Sequence, residues 1–310
     1  MGLLKKFRKS VSYLAGWLAI ILCSLIVKIT PRRWIYSAAK TMGALGYIFT
    51  VKQRKIALES LRIAFSRDKS DSEIKRIAKD CFIFMAKSGF EILWMMDNPE
   101  LIKQRVTFEG KQYLDKALAR GKGVILVSAH FGNFPLMLAK LSLEGYSTAG
   151  IMRQMKDARA EKFFLEKRKR VKIKTIYSQP RKTCIENSIR SLRANELLFI
   201  LMDQNFGTSG VFVDFFGTKA ATATGPIVLA QRTQAALLPC FIVRQKDDTN
   251  KIMFEPAMDM EKAGTDEETI IRNVQKLTDI IESYIRRYPA EWGWIHRRWK
   301  SQPKTENKSG

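Results

Sequence analysis

Two histidines, His130 and His296, are all that 310 residues contain. A zinc or iron centre built on several histidines is excluded, and imidazole-based proton transfer has two candidates. His130 closes the apolar run GVILVSAH (123–130). Arg153 closes STAGIMR (147–153), and Asp203-Gln204-Asn205 closes ELLFILMDQN (196–205). If these runs are parallel strands, their carboxyl ends border a ligand crevice. The three polar ends then converge on one pocket. Strand ends are also polar simply because loops begin there, which suits Gln204 and Asn205 better than a lone histidine after GVILVSA. A neutral imidazole near pH 7 takes a proton from an alcohol. The residues alone leave His130 open between general base and hydrogen-bonded structural histidine.

The turn after His130 reads FGNFPLMLAKL. Gly132 permits a tight turn, Asn133 is an N-cap candidate, and Pro135 falls in the first helical turn, where its missing N–H costs nothing. Arg153 offers a planar fork suited to phosphate or carboxylate. Thr222, Thr224, Gly225 and Pro226 read first as a helix start, with an anion or oxyanion site as a secondary role. Asp214 sits among Phe212, Phe215 and Phe216, which read as an apolar wall. No G-x-S-x-G nucleophile elbow occurs. Cys23, Cys81, Cys184 and Cys240 match no metal or redox spacing, so buried free thiols in a reducing compartment are expected. Neither a metal nor a cofactor is called for.

Hydrophobic pattern gives the elements that must position these groups. After Asn98-Pro99, apolar runs at 123–130, 147–153, 171–176, 196–205, 235–245 and 251–258 alternate with amphipathic stretches near 135–144, 157–170, 181–194, 225–234 and 266–287. That alternation predicts an α/β fold with a largely parallel sheet covered by helices. Residues 31–100 are helical in pattern; SDSEIKRIAKDCFIF begins with capping residues and spaces Ile74, Ile77, Cys81 and Phe82 along one face. The uncharged run 10–27 is about 27 Å long as a helix at ~1.5 Å per residue, a marginal membrane span. The next residues, KITPRRW, form no signal-peptide cleavage site, so 1–30 reads as an uncleaved anchor. Basic residues flank both ends, and the positive-inside rule gives no orientation. The division is thus anchor 1–30, helical segment 31–100, α/β domain 101–300 and a polar tail, 301–310, expected to be disordered.

Fifty-four Lys and Arg against 30 Asp and Glu give a net charge of +24, which attracts polyanions without choosing among them. The run EKRKRVKIK (166–174), with Arg159 and Lys162 before it, reads as a solvated face that also attracts anionic headgroups or an acidic carrier protein. Trp292, Trp294 and Trp299 with Arg297, Arg298 and Lys300 read as packing plus membrane-surface contact. His296 in that cluster reads as structural. Nucleic acid is disfavoured, because no zinc finger or RNP motif is present and the charge is spread along the chain.

Taken together, SAHFGNFPL (128–136), the Arg153 strand end, MDQN (202–205), GVFVDFFGTKAATATGP (210–226), LPCFIVRQ (238–245) and YPAEWGWIHRRWK (288–300) resemble the bacterial late acyltransferases of lipid A biosynthesis, within the lysophospholipid acyltransferase superfamily. The resemblance implies O-acyl transfer from an acyl thioester, usually on acyl carrier protein, to a glycolipid or phospholipid acceptor. It also implies a catalytic domain at the cytoplasmic side of a bacterial inner membrane. The family signature H-x-x-x-x-D/E maps its base onto His130 but its carboxylate onto Pro135. The orienting acid then falls to Asp203, Glu109, Asp214 or a backbone carbonyl, with Asp203 favoured for its neighbouring strand end. Arg153, Asn133, Gln204 and Thr224 are the expected substrate contacts. The competing readings are a thioesterase or lipase using the same site, an inactive relative, and a lipid- or nucleic-acid-binding protein.

Overall fold

A computed structural model describes residues 2–303. Five helices come first: α1 (Gly2–Ile29), α2 (Ile35–Phe49), α3 (Val51–Phe65), α4 (Asp71–Met95) and α5 (Pro99–Arg105). Then β1 (Val106–Glu109), α6 (Lys111–Leu118), β2 (Val124–Ser128), α7 (Phe134–Leu143), β3 (Thr148–Met152), α8 (Ala158–Arg170), β4 (Lys174–Tyr177), α9 (Arg181–Arg193) and β5 (Leu197–Leu201) alternate. The chain continues with β6 (Val211–Phe215), β7 (Thr218–Thr222), α10 (Gly225–Thr233), β8 (Ala236–Arg244), β9 (Asn250–Phe254) and α11 (Asp266–Arg287).

The main sheet has seven strands in the order β1-β9-β8-β2-β5-β3-β4. From β8 to β4 the strands are parallel; β9 runs antiparallel to β8 and carries β1 parallel to itself. The expected largely parallel α/β architecture is therefore present. Short β1 and the β6–β7 hairpin are additions to the predicted strands, since neither carries a strong strand pattern. Several predicted runs are trimmed: the second and fifth strands end at Ser128 and Leu201, the fourth starts at Lys174 after a turn at 171–172, and the last ends at Phe254.

Both central strands are buried on both faces, which explains their unbroken apolar sequence. Alternate residues feed separate cores. Ile125, Val127, Ala129, Leu198, Ile200 and Met202 join α9, α10 and α11 on one side. Val124, Leu126, Leu197 and Phe199 join α6 and α7 on the other. Each fully buried aliphatic side chain contributes about 1.5–3 kcal/mol. The helix α4 opens on a capping box, Ser70 with Glu73, and its ends reach both cores. The helix α11 opens on a second box, Thr265 with Glu268, and buries Val274, Leu277, Ile281, Tyr284 and Ile285 at helical spacing.

The stretch Ser10–Ile29 of α1 is 20 residues long and apolar enough to cross a membrane. Leu14, Leu18, Leu22 and Leu25 are exposed along it, whereas Trp17 packs edge-on against Phe163 of α8. The four cysteines are free; Cys81, Cys184 and Cys240 are buried and Cys23 partly so. Of the tail expected to be disordered, 304–310 lie outside the described residues, and Ser301 is bonded to Asn205.

The aromatic expectation is corrected, and the basic run proves partly paired. Trp292, Trp294 and Trp299 are core residues packed with Phe215 and Phe216, not interfacial ones. The Arg298 guanidinium is buried with them and donates to the carbonyls of Ala221 and Gln204. The basic run of α8 is partly paired within the fold. Arg159 pairs with Asp157, Lys167 and Arg170 with Asp97, Arg168 with Glu161 and Lys169 with Glu166.

Candidate active site

Sheet register places the first two groups. The β2–β5 pairing runs from Val124↔Leu197 to Ser128↔Leu201, a constant offset of 73 residues. Met202 N continues the ladder by donating to the Ser128 carbonyl at 3.2 Å. Two residues beyond the last pair, the same offset sets Asp203 opposite His130. Strand parity then decides facing, because both lie an even number of residues from the first pair and so leave the sheet on one side. The contacts agree. His130 Nδ1 lies 2.8 Å from Asp203 Oδ1, and the His130 backbone N–H donates to Asp203 Oδ2 at 2.9 Å.

The C-terminal segment completes this corner. Parallel pairing of β8 with β2 stops at Val127↔Pro239, whose nitrogen has no hydrogen to offer. Beyond that point Phe131 forms an antiparallel bridge with Trp292. Gly293 N donates to the His130 carbonyl at 3.0 Å, and Gly132 N to the Glu291 carbonyl at 2.9 Å. The Trp292 indole N–H then reaches Asp203 Oδ2 at 2.7 Å. Each Asp203 oxygen is thus committed: Oδ1 to the imidazole, Oδ2 to two N–H donors.

Burial works against the Asp203 charge, but the facing imidazole and these three hydrogen bonds outweigh it and hold the carboxyl below its usual range. Burial likewise disfavours a charged His130, and the Asp203 carboxylate more than offsets it, so the imidazole pKa is raised. Asp203 stays ionised, accepts a hydrogen bond from the Nδ1–H and leaves Nε2 of His130 as the basic nitrogen. This nitrogen faces outward, since the His130 side chain is 27% exposed and that of Asp203 1%.

Gln204 occupies the space in front. Its amide nitrogen is 3.0 Å from His130 Nε2 and 3.2 Å from His296 Nε2. The two imidazole centroids are 5.2 Å apart. Phe134 packs edge-on against His130 and stacks on Phe199, giving the ring an apolar wall.

The turn that carries His130 is rigid for identifiable reasons. Gly132 has φ +61°, and a Cβ there would sit 1.8 Å from the Ile242 carbonyl oxygen. Asn133 is 1% exposed, and its amide donates to Glu91 Oε2 at 2.8 Å and to the Ser88 carbonyl at 3.2 Å. Glu91 is fully buried and takes both terminal nitrogens of Arg244, at 2.6 and 2.7 Å, plus the Tyr36 hydroxyl at 2.9 Å. Asn133, expected to cap α7 with its side chain, makes no such bond: it clamps the turn to the helical layer through α4.

The remaining expected residues are dispersed around this corner. Arg153 is exposed just past the end of β3 and makes no hydrogen bond among the described residues. Thr224 is half-buried at the start of α10, with no side-chain cap bond. Glu109 and Asp214 lie in surface pairs with Lys251 and Lys219, away from His130. Pro135 sits in the first turn of α7 as expected. Sequence reasoning missed Trp292 as a partner of Asp203 and the contact of His296 with Gln204. Nothing in spacing along the chain reports a contact across 89 or 92 residues.

The chain as a whole is similar to known proteins. The chain is 26% identical over 271 residues to the lipid A biosynthesis palmitoleoyltransferase of Escherichia coli K12, covering 86% of this chain and 85% of that protein. It is 25% identical over 297 residues to the lipid A biosynthesis lauroyltransferase of the same organism, covering 94% and 93%. A phosphatidylinositol mannoside acyltransferase of Mycobacterium tuberculosis is 26% identical over 191 residues, 61% of this chain and 58% of that one. Residues 2–301 match the family of bacterial lipid A biosynthesis acyltransferases, and the chain belongs to that family.

Proposed function

We propose that the protein is a membrane-anchored O-acyltransferase that moves a fatty acyl group from acyl carrier protein to a hydroxyl of a lipid A precursor. The observation that carries this reading is the outward-facing Nε2 of His130, backed by buried, ionised Asp203 at the carboxyl ends of β2 and β5. The acceptor hydroxyl gives its proton to Nε2 while its oxygen bonds to the thioester carbonyl carbon. The tetrahedral adduct then expels the thiol sulfur, which takes the proton back from the imidazolium and leaves as a free thiol. Asp203 keeps the Nδ1 proton in place throughout and stabilises the transient cation. No covalent acyl-enzyme is needed. Arg153, exposed at the end of the neighbouring strand, offers its guanidinium to an acceptor phosphate.

Anchoring rests on the apolar 20-residue stretch of α1, and the +24 charge favours an acidic carrier over a neutral donor. With most basic residues of α8 paired, docking is assigned to exposed basic residues after β3 and beside His296: Arg153, Lys156, Arg297 and Lys300. The test uses full-length protein in detergent, a lipid A precursor, and lauroyl and palmitoleoyl thioesters of either acyl carrier protein or coenzyme A. Transfer from the carrier should exceed transfer from coenzyme A and weaken as salt rises. His130→Ala should remove most activity while leaving folding intact. A salt-independent preference for coenzyme A overturns the donor, and an active His130→Ala overturns the base.

A further inference from the structure

The second histidine lies where a spectator has no reason to be. Gln204 is exposed, so its carboxamide could point to water. Instead its nitrogen sits 3.0 Å from one imidazole Nε2 and 3.2 Å from the other. An amide nitrogen carries two hydrogens and can give one to each. Both Nε2 atoms are therefore aimed at one point, and that point is within proton-transfer reach of His130.

We propose that His296 is a second catalytic residue, holding the acceptor hydroxyl oxygen at the position that the Gln204 amide nitrogen fills in the free protein. The inference rests on the reading of His130 as base. A hydroxyl oxygen placed there has one hydrogen, which goes to His130 Nε2. The nitrogen of His296 must then donate to that oxygen, or two lone pairs would face each other. The two rings differ in the way this requires. Asp203 locks the Nδ1 proton of His130, whereas Nδ1 of His296 has no hydrogen-bond partner among the described residues. The single ring proton of His296 is thus free to shift from Nδ1 to Nε2 by exchange with solvent, with no change in charge. Burial and the neighbouring His130 charge lower the pKa of His296 against the opposing pull of Asp203, so it is the weaker base of the two. In the transfer step the proton leaves the oxygen for His130, the oxygen–carbon bond forms, and the Nε2–H of His296 keeps the oxygen's remaining lone pair aimed at the thioester carbon. Gln204, expected from the sequence to bind substrate, becomes the group that the acceptor displaces.

The backbone of His296 is held independently of its ring, by bonds from its N–H to the Gly293 carbonyl and to its carbonyl from Ser60 and Arg298. Ring replacement can therefore be tested without moving the segment. Wild type, His130→Ala, His296→Phe, His296→Asn and Gln204→Ala are compared with a lauroyl carrier thioester and a lipid A precursor, with thermal unfolding as the folding control. His296→Phe should lower kcat by about 10²-fold, the scale of a misplaced reacting group, with donor KM unchanged. His296→Asn restores a donor and should recover part of that loss. Gln204→Ala should lower acceptor KM, because nothing is then displaced. If His296→Phe keeps more than half of kcat, or His296→Asn is no better than His296→Phe, the inference is overturned. If His130→Ala is active, it is the base that fails; loss with His130→Ala and none with His296→Phe sinks only the second histidine.

Discussion

Exchanging Asp203 for asparagine separates orientation from shape. The two oxygens have different partners: Oδ2 accepts from the His130 backbone and the Trp292 indole, and Oδ1 faces the imidazole. An asparagine that keeps its carbonyl oxygen at the Oδ2 position satisfies both N–H donors and turns its NH2 toward Nδ1. Nδ1 must then accept, the ring proton moves to Nε2, and the nitrogen that should take the hydroxyl proton already carries one. Loss of a general base typically costs about 10²- to 10⁴-fold, which is about 2.7–5.4 kcal/mol at 1.36 kcal/mol per factor of ten. The fall should appear in kcat under single-turnover conditions, and His130→Ala/Asp203→Asn should be little worse than either alone. The pH profile adds a signature. In the wild type the Asp203 charge raises the His130 pKa, so activity is lost as pH falls through a value above the ordinary 6.5. In Asp203→Asn only burial remains, which lowers that pKa, and the acid limb should move to lower pH. Stability should follow the same pair. The gain from Asp203 is present above its unfolded pKa of about 3.9 and is lost as pH falls through its lower folded value. The gain from His130 is present below about 6.5 and is lost as pH rises through its raised folded value. The variant should therefore be most destabilised between about pH 4 and 6.5. If Asp203→Asn keeps a third or more of kcat with an unmoved acid limb, while Pro135→Glu gains activity, Asp203 is not the orienting acid.

Three further perturbations address the support of the site. Gly132→Ala puts a methyl 1.8 Å from the Ile242 oxygen in a left-handed conformation, and the turn must shift; a displacement near 1 Å costs up to about 10²-fold, read as kcat with thermal unfolding alongside. Arg244→Leu leaves buried Glu91 without its two strongest bonds and should destabilise the fold by about 3–5 kcal/mol, measured by denaturant titration in detergent. Burial raises the Glu291 pKa from 4.5 to about 8 against the opposing pull of Arg244. The folded state then holds a proton that the unfolded state releases, so stability should fall as pH rises across that window. Glu291→Gln should flatten this dependence; an unchanged slope would refute it.

The elements were legible because periodicity reports burial. GVILVSAH and ELLFILMDQN read as strands buried on both faces, and the five helices forecast after residue 130 begin and end within two residues of α7 to α11. The order of strands was not legible, since nothing in the two runs states that β2 pairs with β5 across β3 and β4. Even so, His130 and Asp203 could be nominated together, because strand-end position is a local property. The cap expected of Asn133 failed for a related reason. Its turn position is local information, whereas its true partner, Glu91, lies on a helix 42 residues earlier. The tryptophans misled by composition: aromatic and basic residues mix at membrane surfaces, but also where an arginine is sealed into a core by carbonyl acceptors, as Arg298 is.

Pro135 is where sequence and geometry bear on each other most directly. A carboxylate five residues after the histidine would stand in the first turn of α7, on the chain segment that also carries the base, and its aim would depend on that turn alone. Asp203 instead reaches the imidazole from a separate strand, through a register fixed by five consecutive residue pairs, and a slip of one residue would turn it to the opposite face. With the acid supplied from β5, position 135 is released to a residue that favours starting the helix. Proline fixes φ there and gives up only an N–H that a first turn does not need. The Gly132 and Asn133 constraints act on the same turn from two other directions, through Ile242 and through Glu91. Three independent contacts thus set the His130 ring, and with Pro135 at the signature's carboxylate position the imidazole still has a carboxylate partner in Asp203.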